Sequence, residues 1–204
     1  MSSSTYPMSR IEILVFDGVD ELDAVAPFEI LAAAGYGVAL VTAELRSAIT
    51  GSHGMTFTPS GVLGRPDLLV VTGGGWSTRA VNSAWGEMQR GVIPSAIAEL
   101  HAAGTRVAGV CTGAMLMAAS GILRGRPAVT HRSALDDLRG SGADVHPEAR
   151  VVDDGDVLTS GGVTSGIDLA LHLIERDRGR EAALREAARI EHEFRGPVLV
   201  TRDG

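Results

Sequence analysis

Four apolar runs of strand length, residues 11–16, 38–42, 68–72 and 106–110, are each followed by glycine-rich or polar punctuation and then by a stretch of helical character. That alternation predicts parallel strands joined by crossover helices. Between the first two runs Leu22, Ala26, Ile30 and Ala33 recur at helical spacing, with Pro27 tolerable in the first turn and Gly35 suited to a stop, so a first βαβ unit is expected. Further helices are expected over 93–103, 112–120 and 164–176, and over 180–194, where charge and alanine alternate on a solvated face. Only 4% of the 204 residues are aromatic, so the core must come from Ala, Val, Leu and Ile, which suits a helix-covered parallel sheet. Neither a linker nor a repeat interrupts the pattern. The expectation is one doubly wound α/β domain over 10–204, mostly parallel with helices on both faces, after a polar, flexible segment 1–9.

Composition removes several function classes. One cysteine excludes a disulfide scaffold, and the absence of lysine excludes Schiff-base chemistry. A dispersed net charge of −7 argues against a nucleic-acid partner. The start is polar, and no apolar run approaches the roughly 20 residues that span a bilayer, so neither a secretory leader nor a membrane partner is expected and the chain reads as cytoplasmic.

An open α/β sheet carries its chemistry where strands end and helices begin. In Gly109-Val110-Cys111-Thr112-Gly113-Ala114 a buried strand runs directly into a cysteine followed by a helix, the arrangement of a nucleophile elbow. Helix dipole and unpaired amides are expected to lower the thiol pKa below the free value of about 8.5. The competing reading is an inert buried thiol. After the first strand, Asp17, Asp20, Glu21 and Asp23 offer four carboxylates; Asp23 sits where the helix begins and reads equally as an N-cap or as a catalytic acid. Gly73-Gly74-Gly75 after the third strand lets backbone approach a ligand, and with the amide of Thr112 forms a candidate oxyanion hole from Gly74, Gly75 and Thr112, unless the glycines are a plain turn. The segment from Ser160 to Asp168 is a further glycine-rich helix start, containing Thr164, and reads otherwise as a capped turn. His131 ends a short apolar run and either lines the cleft or is structural; the other histidines read as surface residues, and none has metal-ligand spacing with the cysteine.

These parts, in this order, resemble the ThiJ/PfpI superfamily: Asp23 with Pro27-Phe28-Glu29, Gly73-Gly74-Gly75, the Cys111 elbow, Gly125 to His131, and Gly161-Gly162-Val163-Thr164-Ser165-Gly166-Ile167-Asp168. The Cys-Thr-Gly-Ala elbow and the Gly-Gly-Val-Thr-x-Gly-Ile-Asp segment look like the isonitrile hydratase subfamily and also like the sensor halves of AraC-type regulators. The resemblance implies a flavodoxin-like, glutamine amidotransferase-like homodimer with catalytic Cys111, Asp23 and Thr112, substrate contacts at Gly74, Gly75, Thr112 and Thr164, and supporting places for Asp168 and His131. Two departures matter. Thr112 stands where protease-like members carry histidine, so no Cys-His-acid triad is expected, and a whole regulator, which continues into a DNA-binding domain, is not expected from 204 residues.

An isonitrile carbon takes a soft nucleophile and then a proton at the same atom, so a thiol with an adjacent carboxyl is a sufficient pair and no metal or organic cofactor is required. Cys111 would attack, Asp23 would manage protons, and water would release a formamide. The alternatives are a glyoxalase- or deglycase-like enzyme acting on 2-oxoaldehydes and a cysteine-based oxidative or electrophile sensor without turnover. Phe16, Trp76 and Trp85 are the side chains expected to line the substrate pocket.

Overall fold

The computed structural model describes residues 9–202, so segment 1–9 lies outside the described residues up to position 8. In chain order the elements are β1 (Arg10–Leu14), α1 (Glu21–Ala33), β2 (Gly37–Thr42), the short pair β3 (Ile49–Thr50) and β4 (Thr56–Phe57), β5 (Gly61–Val62), β6 (Leu68–Val71), α2 (Ala84–Arg90), α3 (Val92–Ala102), β7 (Arg106–Gly109) and α4 (Gly113–Ala119). Then come β8 (Pro127–Ala128), α5 (Leu135–Gly140), β9 (Asp144–Val145), β10 (Val151–Asp154), β11 (Val157–Ser160), α6 (Ser165–Arg178), α7 (Arg180–Arg189) and β12 (Val198–Arg202).

Eight strands form one sheet in the order β12-β10-β11-β7-β6-β1-β2-β5. All neighbours are parallel except the β10–β11 hairpin. β1 lies between β2 and β6, and the chain steps outward one way through α1 to β2 and the other way through α2 and α3 to β7. Right-handed crossovers in opposite directions put their helices on opposite faces. The helices accordingly pack as two groups, α1 with α6 and α7, and α2 with α3 and α4. The reversal at β1 and β6 opens the crevice at the carboxyl ends of the strands, where Asp23, Gly73 and Cys111 all follow.

The central strands are aliphatic and buried on both sides, as the near-continuous apolar runs of β1, β6 and β7 require. The first helix departs from its expected stripe. Ala26 and Ile30 face inward, but Leu22 is 38% exposed and Ala33 is exposed, while Asp23, Ala24, Pro27 and Leu31 are buried instead. The stripe is rotated because α1 packs against α6 as well as the sheet. Helix α7 also ends five residues earlier than expected, at Arg189. Helix α2 carries no readable signal, since Gly86 sits inside it. There a Cβ would stand 1.9 Å from the Val81 carbonyl oxygen, so a close backbone approach, not helix propensity, selects the residue. Among the described residues no helix is long and apolar enough to cross a membrane.

Candidate active site

Cys111 leaves β7 at φ 56°, a conformation that β-carbon sterics disfavour and that an elbow imposes. Three tethers hold it: its amide donates to Gly161 O at 3.1 Å, the Thr130 hydroxyl donates to its carbonyl at 2.9 Å, and Gly113 N donates to Val110 O at 2.8 Å. Glycine is required at 113, where a Cβ would stand 2.1 Å from Val71 O. The sulfur faces the amides of Thr112 and Val163 and the carboxyl of Asp23. Val163 itself has φ 21°, a second strained non-glycine residue in the same wall.

Asp23 is not a cap. The N-cap of α1 is Asp20, whose side chain accepts from Leu22 N at 3.3 Å. Asp23, within the first turn, is fully buried; its Oδ2 accepts from Gly73 N at 3.0 Å and its Oδ1 has no hydrogen-bond partner. Asp17 and Glu21 have structural work, Asp17 accepting from Thr50 N and Glu21 from the amides of His53 and Met55. Burial, reinforced by the charge of Asp20, pushes the Asp23 carboxyl up to about 8.

The thiol does not behave as its position at a helix start suggests. Burial first, and then the nearby Asp23 charge, push Cys111 up to about 12, and the amides of Val163 and Thr112 only partly offset this. Helix α4 has seven residues, and two of its leading amides, on Gly113 and Ala114, are already bonded to Val110 O and Cys111 O. Both shifts favour the neutral forms of the pair, S–H and COOH.

Two amides of the glycine loop are turned to the acid and its brace. Gly73 N is committed to Asp23 and Gly74 N donates to the Thr112 hydroxyl at 2.9 Å, so Thr112 braces the loop and Gly74 has no amide to spare. Gly75, in the left-handed region, caps the short helical turn Trp76–Thr78. The donors that reach the sulfur are the amides of Thr112 and Val163. Sequence reasoning missed Val163, because an aliphatic residue shows no sign of the strained backbone that aims its N–H.

Thr164 is exposed and its hydroxyl accepts from Arg150 at 3.2 Å. Asp168 stands apart from the thiol: its buried carboxylate takes Arg150 at 2.6 Å, His192 Nε2 at 3.1 Å and Arg195 N at 3.3 Å, which makes it an anchor for the C-terminal segment. His131 lines the cavity beside the elbow, its ring against Gly162. His172 and His192 are not surface residues as expected, being tucked against Asp153 and Asp168. Phe16 and Trp76 are buried in the core, and neither they nor Trp85 line that cavity. Among the described residues no three His, Cys, Asp or Glu side chains converge as metal ligands.

Several known proteins are similar to this chain. The isonitrile hydratase of Pseudomonas putida is 34% identical over 181 residues, covering 85% of this chain and 74% of that protein. A deglycase of Pyrococcus abyssi is 29% identical over 157 residues, covering 74% and 89%. The crystal structure of a ThiJ/PfpI family protein from Pseudomonas syringae superposes with a TM-score of 0.81 at 25% identity, over 95% of this chain and 80% of that one. The DJ-1/PfpI family model matches residues 9–176, and with its strained cysteine elbow at the end of a parallel strand the chain belongs to the DJ-1/PfpI family.

Proposed function

We propose that the protein is a cytoplasmic isonitrile hydratase, a hydro-lyase that converts R–N≡C to an N-substituted formamide. The observation that carries this reading is the buried Asp23 carboxyl, with one oxygen unpartnered, facing the thiol of Cys111. A carboxyl held protonated near neutral pH can deliver a proton to carbon, which the isonitrile reaction needs and a plain thiol site lacks. Asp23 protonates the terminal carbon as the Cys111 sulfur bonds to it, and the thiol proton passes to the carboxylate left behind. Sulfur and hydrogen have then both added to that carbon, giving R–N=CH–S–Cys111. Water adds across the C=N bond with Asp23 taking and returning a proton, and cleavage of the C–S bond releases R–NH–CHO and the thiol. The amides of Thr112 and Val163 face the sulfur and favour the charge that develops there.

Burial weighs against the sensor alternative: Cys111 is 5% exposed, and a buried, protonated thiol is a poor oxidant sensor, since susceptibility follows exposure and thiolate character. Purified protein should hydrate cyclohexyl isocyanide and leave methylglyoxal unchanged. The C111A variant should lose turnover, and D23N should lose it by about 10²–10⁴-fold while staying folded, the range usual for general acid–base groups. Wild-type rates in either variant, or turnover of methylglyoxal alone, would refute the reading.

A further inference from the structure

The two sides of Cys111 differ in the room they leave. On the Asp23 side the glycine loop is sealed, since a Cβ on Gly73 would stand 2.5 Å from Thr112 N and one on Gly74 would stand 2.4 Å from Gly18 O. On the other side, Thr130, Gly161 and Val163, all hydrogen-bonded to Cys111, form part of the wall of a cavity of about 440 Å³. Cys111 and Asp23 do not themselves line this cavity; Val163, whose amide faces the sulfur and which lines the wall, joins the two, and a substituent that leaves the sulfur past Val163 enters it.

The far wall is polar and charged. Arg150 is committed to Asp168 at 2.6 Å, whereas Arg132, exposed at the mouth, enters no ion pair among the described residues. His131 Nδ1 accepts from Ser133 N at 3.2 Å, so the neutral ring carries its proton on Nε2, next to Gly162 in the cavity wall. Glu148, on a different segment, is the one carboxylate of the lining. A cation and an N–H donor on one segment and an anion on another give the cavity a polarity that a neutral alkyl group would not use.

We propose that this cavity selects isonitriles whose substituent ends in a carboxylate, with Arg132 as the ion-pair partner and His131 Nε2–H as a second donor. The proposal rests on the isonitrile hydratase reading. Its test compares kcat/KM for isocyanoacetate with that for the neutral cyclohexyl isocyanide. In the wild type the carboxylate substrate should be preferred by about tenfold or more, as one charge-assisted contact allows. R132Q should lower that ratio by about tenfold through KM, again the worth of one such contact, and E148Q should raise it. Hydration of both compounds with no preference for the carboxylate, or a ratio unmoved by R132Q, would overturn this proposal alone. Hydration of neither would overturn the functional reading and this one with it.

Discussion

Cys111 and Asp23 share one consequence of burial: each is pushed toward its neutral form, and the Asp23 charge pushes the thiol up further, whereas contact with the thiol works the other way on Asp23. The thiolate absorbance of Cys111 should therefore rise well above pH 8.5, and D23N, which removes a facing carboxylate, should move that titration down. A thiol titrating below 8.5 in the wild type would contradict the site described. The sign for Asp23 follows in the same way. Its folded-state value lies above the ordinary carboxylate value, so the folded state binds the proton more tightly. Stability contributed by this group is full at acid pH and declines as pH rises from about 4 to about 8. Isonitrile turnover should fall over the upper part of that range, as the transferable proton is lost. A kcat/KM that rises through pH 8 would show that the ionised carboxylate is the working form.

Asp23 owes its place to α1, and α1 owes its start to Asp20. The Asp20 side chain satisfies one of the orphan amides of the first turn, and its own amide donates to Gly73 O at 2.9 Å, so helix start and glycine loop are fixed together. Replacing Asp20 by Ala should cost about 1 kcal/mol of stability by loss of the cap. It should also shift the alkaline limb of the pH–rate profile to lower pH, because the charge of Asp20 helps to hold the Asp23 proton. A lower melting temperature with an unmoved profile would separate the two roles and leave Asp20 as a cap only. The element boundaries that sequence periodicity located well are those of the central strands and of α3, α4 and α6, where apolar runs meet glycine or a charged turn. It failed on β10, β11 and β12, whose four or five residues carry too little pattern, and on the rotation of α1, which its packing against α6 decides.

The outward side of α1 presents Leu22 at 38% and Phe28 at 36% exposure, with Ala32 and Ala33 beside them, so Phe28 is not core. We propose that this face meets its own copy about a two-fold axis, giving an isologous homodimer over residues 22–31. Sedimentation at micromolar concentration should show twice the 21.2 kDa chain mass, and F28D should shift it toward the monomer. A wild-type protein that sediments as the monomer would refute the pairing.

The doubly wound architecture was legible in the sequence, because strand-length aliphatic runs separated by helical stretches have few other ways to bury themselves. The sequence also located Cys111, since a cysteine between Gly109 and Gly113 at the end of such a run marks an elbow, and it picked out Asp23 from four neighbouring carboxylates without deciding between cap and acid. Tertiary structure alone decided that question, by placing Asp20 at the cap and Asp23 in the interior beside the thiol. It alone turned the glycine amides toward Asp23 and Thr112, brought Val163 to the sulfur, and sent Asp168 to Arg150 and His192. The reason is physical: composition and periodicity report what a segment buries, whereas a pKa and a hydrogen-bond partner depend on groups far away in the chain. The Cys111 thiol, marked by its local sequence for a lowered pKa, is raised by the surroundings that the fold builds around it.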